Sequence, residues 1–182
     1  MTTNIILRVF TFCTVSFLLL GCNIKAKESD KKVTVSKDEI AKAKKLIASK
    51  KKQLNIPKHV YKAMLSSDVY YILFEKGTER PFTGALLNNK RKGTYVTAGC
   101  GQPVFRSETK FKSGTGWPSF YKPISKDSIK LVRDSSYGMV RTEVVSSRCN
   151  EHLGHVFEDG PEPTGLRYCI NSLALKFIPD PE

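Results

Sequence analysis

The sequence predicts a mainly β fold, with a core of antiparallel strands preceded by two short helices. Two observations carry this. From Gly77 onward, short apolar or aromatic segments alternate with glycine, asparagine and proline turns, the texture of antiparallel strands joined by tight connections. Before that point the apolar residues instead recur at helical spacing. There is no sustained alternation of strand and helix, no internal repeat, and neither a GxGxxG nor a GxxxxGK pattern, so chemistry that depends on a nucleotide cofactor has no support.

The helical reading begins at Ser36. Ser36 with Glu39 three positions later forms a capping-box pattern, Ile40, Ala43, Leu46 and Ile47 make a narrow apolar stripe, and Asn55, Ile56 and Pro57 stop the run. The opposite face is lysine. With no aromatic anchor in the stripe, this reads as a solvated stalk helix in preference to a membrane-surface helix. Val60 to Lys76 contains a second short helix, with Ser66 or Ser67 near a turn and Tyr70, Leu73 and Phe74 as its buried side. The expected strands are Ala85–Leu87, Thr94–Thr97, Pro103–Phe105, Met139–Val145, Leu153–Phe157 and Leu166–Ile178.

The 182 residues suffice for one domain with appendages. Residues 1–21 read as an export signal: Arg8, an apolar run from Val9 to Leu20, then a small residue before Cys22. The ending LLLGC resembles the lipobox of bacterial lipoproteins, which implies that Cys22 is the lipidated first residue of the mature chain. The implied location is the outer face of a bacterial membrane, with Asn23 favouring the outer membrane if the cell has one. Residues 22–60 are then a lysine-rich tether and residues 61–182 the domain. The net charge of +13 is concentrated in that tether. Lysines without interleaved aromatics do not read nucleic acid, and no nucleic-acid partner is expected.

Three clusters in the body carry possible chemistry. Ser113–Phe120, SGTGWPSF, uses two glycines and a proline to hold Trp117 on a tight loop, which suits packing against a small apolar group as well as it suits filling a core. His152–Phe157, HLGHVF, places two imidazoles three apart around Gly154. On a straight strand they would face opposite sides, and a bend at the glycine would let both reach one cavity. They are candidate metal ligands or proton donors. Gly165–Ile178, GLRYCINSLALKFI, alternates Arg167, Cys169 and Asn171 onto one strand face. A neighbouring cation lowers a thiol's pKa, which fits a nucleophile, while an ordinary core thiol is the other reading.

The chain resembles the methionine sulfoxide reductases of the B type from about Met64 to Phe177. The matching stretches are TERPFTG (78–84), GTYV (93–96), GCGQPVF (99–105), SGTGWPSFYKPI (113–124), HLGHVFEDGPEPTGLRYCIN (152–171) and ALKF (174–177). The resemblance implies two antiparallel β-sheets with short N-terminal helices, and reduction of methionine-R-sulfoxide, in proteins or free. It implies that Cys169 attacks the sulfoxide sulfur and is left as sulfenic acid. His152 and His155 would orient and protonate the oxygen, and Arg167 and Asn171 would surround the nucleophile. Trp117, with Phe120 and Phe157, would bind the substrate's methyl end.

Two departures from the family pattern bear on mechanism. Many members bind zinc through four cysteines, but the matching positions here are Thr97, Cys100, Ser146 and Cys149. Hydroxyls replace thiolates poorly, so zinc is not expected. The resemblance places Cys100 and Cys149 near each other, where a disulfide could stand in for the metal. Some relatives have a resolving cysteine at the position of Thr115, and this chain has none there. No tightly bound cofactor is expected, and the reductant is read as an external thioredoxin-like protein or small thiol, the enzyme being a monomer. The rival readings are a non-catalytic, lipid-anchored binding or structural module, and a thiol peroxidase.

Overall fold

The computed structural model describes residues 34–181. The export segment 1–21 and Cys22 lie outside the described residues. Among the described residues, no helix is long and apolar enough to cross a membrane. Three helices come first: α1 (Lys37–Ala48), α2 (Lys58–Met64) and α3 (Ser67–Glu75). The capping box forms as expected, the Ser36 hydroxyl accepting from the Glu39 amide while Glu39 accepts from the Ser36 amide. The helix expected within 60–76 is α3, the turn expected near Ser66 or Ser67 lies at its start where the chain is extended at Leu65 and Ser66, and α2 before it is an additional helix.

Helix α1 is not the solvated stalk that its lysines suggest. Its stripe packs onto the domain, with Ala43 buried beside Leu54, Ile56, Val60 and Tyr61. Arg148 holds the end of the helix in place, its guanidinium donating to the carbonyls of Ile47, Ser49, Lys51 and Cys100. Carbonyls at the end of α1 and just beyond it thus find one cation, which also suits the negative end of a helix dipole.

The strands are β1 (Gly93–Thr97), β2 (Pro103–Arg106), β3 (Lys110–Phe111), β4 (Ser119–Phe120), β5 (Ile129–Asp134), β6 (Arg141–Ser146), β7 (His152–Phe157), β8 (Arg167–Ile170) and β9 (Leu175–Pro179). They form two antiparallel sheets, as expected. One has three strands in the order β2-β1-β9, and the other six in the order β3-β4-β8-β7-β6-β5. The segment read as one strand over 166–178 therefore serves both sheets, changing from one to the other through a 3₁₀ turn at Ser172–Ala174. Ala85–Leu87 is a turn, not a strand, since the Leu87 amide closes back on the Gly84 carbonyl.

Tyr95, Phe105 and Phe120 are fully buried, Phe105 and Phe120 stacking with ring centroids 4.4 Å apart. A second cluster joins α1 and α2 to the turn segments after β1 and β6, and there Cys100 and Cys149 form a disulfide. The Thr97 hydroxyl lies 3.3 Å from the Cys100 sulfur and the Ser146 hydroxyl 3.1 Å from that of Cys149. Beside this clip sits Glu151, fully buried, with no formed hydrogen bond at either carboxyl oxygen. Burial pushes its pKa up to about 7, against a smaller opposing pull from Thr97 and the backbone at Gly99 and Cys100. A side chain on Gly99 would collide with that carboxyl group.

The clip spans 49 residues of sequence, and constraining such a loop in the unfolded chain stabilises by about 2–4 kcal/mol. The double substitution Cys100→Ser with Cys149→Ser should lower unfolding stability in urea by that amount. For Glu151 the folded pKa lies above the unfolded one, so its stabilising contribution is full below about pH 4.5 and lost as pH rises through about 7. Glu151→Gln should therefore gain on the wild type as pH rises from 5 to 8, by a difference on the order of 3 kcal/mol, read from paired urea titrations. A pH-independent difference between the two would show that Glu151 is not the titrating group.

Candidate active site

Cys169 lies in the middle of β8, flanked on one side by Ser119 of β4 and on the other by His155 of β7, each its direct cross-strand partner. Cross-strand partners share a face, so thiol and imidazole project together. They border a cavity of about 130 Å³ with Trp117, Phe157, Asn171 and Thr78. Among the described residues Cys169 is the one free cysteine.

Trp117 is placed by its loop. Gly114 and Gly116 take positive φ angles of 78° and 99°, the left-handed region that favours glycine. The indole N–H donates to the Glu79 carbonyl at 3.1 Å, and the Gly116 carbonyl accepts from the Phe82 amide at 2.8 Å. The ring edge is thus fastened to the segment that follows α3. On the same loop, the Thr115 hydroxyl lies 3.9 Å from the Cys169 sulfur.

The two histidines reach one side by a bulge. Val144 pairs with Gly154 and Val145 with His152, leaving Leu153 as an extra residue in β7. The rings end 5.5 Å apart, edge to face. Gly154 has a different task, because a side chain there would fall on the Cys169 carbonyl oxygen. His155 borders the Cys169 cavity, while His152 borders an adjoining polar cavity lined also by Lys76, Asp134 and Arg141.

Each imidazole meets a carboxylate. His152 Nδ1 is 2.7 Å from Glu143, and His155 Nε2 is 2.7 Å from Asp134. Asp134 also accepts from the hydroxyl and amide of Ser136 and from Arg141. Those Ser136 bonds foremost, then His155, hold its carboxyl well below the usual range. Glu143 is almost wholly buried, and burial alone would raise it. Lys76 at 2.7 Å and His152 together reverse that and hold it low. His152 is pushed down by burial in spite of Glu143, and its Nε2 is buried without a partner.

The thiol differs from its expected state. Burial pushes the Cys169 pKa up, and this outweighs the opposing pulls of Thr115 and Arg167. Arg167 is on the expected face but is held by Asp159 through two bonds of 2.9 Å, and it stacks on Phe157 at 4.4 Å. Its charge is shared before it reaches the sulfur. Burial and the sharing of the Arg167 charge with Asp159 thus favour the thiol form of Cys169.

Cys169, His155, Trp117, Phe157 and Asn171 are brought together, with Arg167 and His152 just behind them. Asn171 is also a fastener, accepting from the Glu79 amide and donating to the Leu153 carbonyl. Phe120 is a correction. Ser119 pairs with Cys169 and Phe120 with Tyr168, so alternation turns Ser119 toward the site and Phe120 into the core, where it is 0% exposed. Asp134, Glu143, Asp159 and Glu79 escape sequence reasoning because no motif contains them all. One signal was available: Glu143 directly precedes the apolar pair Val144 and Val145 on β6.

The corner at Thr97, Cys100, Ser146 and Cys149 brings its four positions together, with the Glu151 carboxyl group near both sulfurs. As a donor set it does not fit zinc. The two sulfurs are bonded to each other, the other two groups are hydroxyls, and burial favours the neutral form of the carboxyl group up to about pH 7.

A SelR domain matches residues 65–179. The chain is 62% identical over 117 residues to a protein of Methanosarcina mazei named peptide methionine sulfoxide reductase MsrB, covering 64% of this chain and 84% of that one. Proteins of the same name from Methanosarcina barkeri and Leptospira interrogans are 60% and 58% identical, over 67% and 64% of this chain and 86% and 89% of theirs.

Proposed function

The chain belongs to the SelR-domain family of B-type methionine sulfoxide reductases, and from that membership we propose a division of labour within its site. The enzyme reduces methionine-R-sulfoxide to methionine by a cysteine-based, thiol-dependent reaction. The observation that carries the assignment of roles is the pairing of Cys169 with His155 across two strands, in a cavity walled by Trp117.

In this reading the sulfoxide's methyl group lies against Trp117 and Phe157, its sulfur faces Cys169, and its oxygen faces His155. Asp134, ionised throughout the neutral range, accepts from Nε2 of His155 and steadies the ring when it carries a second proton. His152 and Glu143 support it from the polar side. As the sulfoxide oxygen gains a proton, the sulfur becomes electrophilic, and the Cys169 proton is lost as its sulfur attacks. A thiol unable to ionise freely in the resting site thus reacts when substrate arrives. The net step moves one oxygen: thiol and sulfoxide become sulfenic acid and thioether. Two equivalents of an external thiol then return Cys169 to the thiol, forming one disulfide and one water.

Thr115 occupies the place from which a cysteine would resolve the sulfenic acid, and a hydroxyl cannot. A thioredoxin-like protein or small thiol is therefore the proposed reductant. We further propose, from LLLGC at 18–22 and the lysine-rich stretch after it, export, lipidation at Cys22 and attachment to a bacterial membrane, the enzyme acting as a monomer on oxidised proteins and on free methionine sulfoxide. Labelling with a fatty-acid probe, lost in Cys22→Ser, would test the anchor.

Cys169→Ser should abolish turnover of methionine-R-sulfoxide with dithiothreitol, by at least about 10³-fold, without lowering stability in urea. Full residual activity would overturn the assignment. In single turnover without reductant, the wild type should form a sulfenic acid at Cys169 that dimedone traps. Thr115→Cys should instead lose two thiols per methionine released and give no adduct. An adduct of equal yield in both would show that position 115 does not reach the oxidised sulfur.

A further inference from the structure

Trp117 has two sides. One faces the Cys169 cavity, and the other forms a wall of a larger groove, about 470 Å³, that contains neither Cys169 nor a histidine. The groove's apolar surface comes from Trp117, Phe82, Phe111 and Leu87. Phe82 is 68% exposed and sits at φ 66°, a left-handed backbone that is costly for a residue of its bulk. Its amide is tied to the Gly116 carbonyl, so the strained aromatic is held out at the groove beside the tryptophan loop. Nothing in the packing of the domain requires an exposed phenylalanine there.

The charged lining is of one sign. Lys90, Arg91, Lys110 and Lys112 border the groove, and no carboxylate does. Elsewhere in the domain three arginines are neutralised, Arg106 by Asp180 and Glu108, Arg141 by Asp134, and Arg167 by Asp159. Among the described residues, none of the four groove cations has a carboxylate within ion-pair distance. Lys110 is half-buried, its ammonium donating to the Leu87 carbonyl, and burial without a counter-ion pulls its pKa down. Arg91 lays its guanidinium on the Phe177 ring, which keeps the group in place without neutralising it. Four uncompensated cations around a concave, partly aromatic surface raise the local concentration of anions and gain by receiving them.

We propose that this groove binds carboxylate side chains flanking the methionine sulfoxide in an extended polypeptide, so that the enzyme selects oxidised methionines lying in acidic sequence. This rests on the reductase reading above. With the sulfoxide against one side of Trp117, an extended chain advancing about 3.3 Å per residue carries residues a few positions away past the indole and into the groove. Phe82 and Phe111 cover the backbone there while the cations meet the acidic side chains. Free methionine sulfoxide ends before the groove and gains nothing from it.

The test uses a set of peptides centred on one methionine-R-sulfoxide, with aspartates on the N-terminal side, the C-terminal side or neither, and lysine counterparts. It compares the wild type with Lys90→Glu combined with Lys112→Glu, two exposed positions. Expected are a kcat/KM about tenfold higher for at least one acidic peptide than for its neutral counterpart at low salt, loss of that preference at high salt, and its loss or reversal in the double variant. Turnover of free methionine-R-sulfoxide with dithiothreitol should be the same in both proteins. Equal kcat/KM across the peptides, or a preference that survives the double substitution, overturns the groove's role while leaving the reductase intact. A double variant impaired only with thioredoxin as reductant, and not with dithiothreitol, assigns the groove to the reductant and overturns this proposal as well. Absence of turnover of every peptide and of free sulfoxide by the wild type would instead defeat the reductase reading itself.

Discussion

Glu79 is the side chain on which the arrangement of the site depends. It follows α3 and is almost wholly buried, yet belongs to no strand. Its carboxylate accepts from the amides of Ser172 and Leu173, its own amide donates to Asn171, and its carbonyl holds the Trp117 indole. One residue thereby fixes the end of the nucleophile's strand and the wall opposite the nucleophile. The amides it takes are those that would otherwise carry β8 onward in its own sheet. Hydrogen bonds to a buried charge are among the stronger ones, about 1.5–3 kcal/mol each, and leaving those donors orphaned in the interior would be costly. The same contact that ends β8 delivers the chain into the other sheet as β9.

That dependence also explains what could be read from the sequence. Helix α1 is legible because Ser36, Glu39 and the apolar stripe are all local. Its docking is not, since the cation that receives its last carbonyls, Arg148, lies about a hundred residues away. The run from Leu166 to Ile178 has strand periodicity throughout, and nothing within it announces that distant Glu79 divides it. Ala85–Leu87 has the residues of a strand but is taken into a turn, with Ser172 capturing the Leu86 amide. Strand β5 is hard to see because it is an edge, mostly exposed, with Lys130 and Arg133 breaking the apolar pattern, as edges that avoid further pairing tend to be.

Of the site, alternation along β8 gave Arg167, Cys169 and Asn171 their common face. It could not give the balance of forces on the thiol, because depth is a property of the assembled sheets. Nor does it show that Asp159, in the turn before β8, claims the guanidinium. The carboxylates behind the histidines come from β5 and β6, and only the register of three strands brings Asp134 and Glu143 to them. Phe120 was misplaced for the converse reason. A loop motif invites its aromatics to be read together, whereas a two-residue strand already separates Ser119 from Phe120 by face.

The described residues also contain two sulfur systems with opposite needs. Cys169 must be returned to its reduced form after every cycle, while Cys100 and Cys149, at 0% and 7% exposure, serve the fold only as long as they remain oxidised. A thiol reductant can attack either kind of oxidised sulfur, the sulfenic acid more readily than the disulfide, once it reaches it. The sheet and helices enforce a choice that redox potential alone does not: one sulfur opens onto a cavity, and the other two are reached only by opening the packing beneath α1 and α2. Selectivity between a working thiol and a structural bond is thus a matter of access rate, and any change that loosens those helices would turn the enzyme's own recycling partner into an agent of its unfolding.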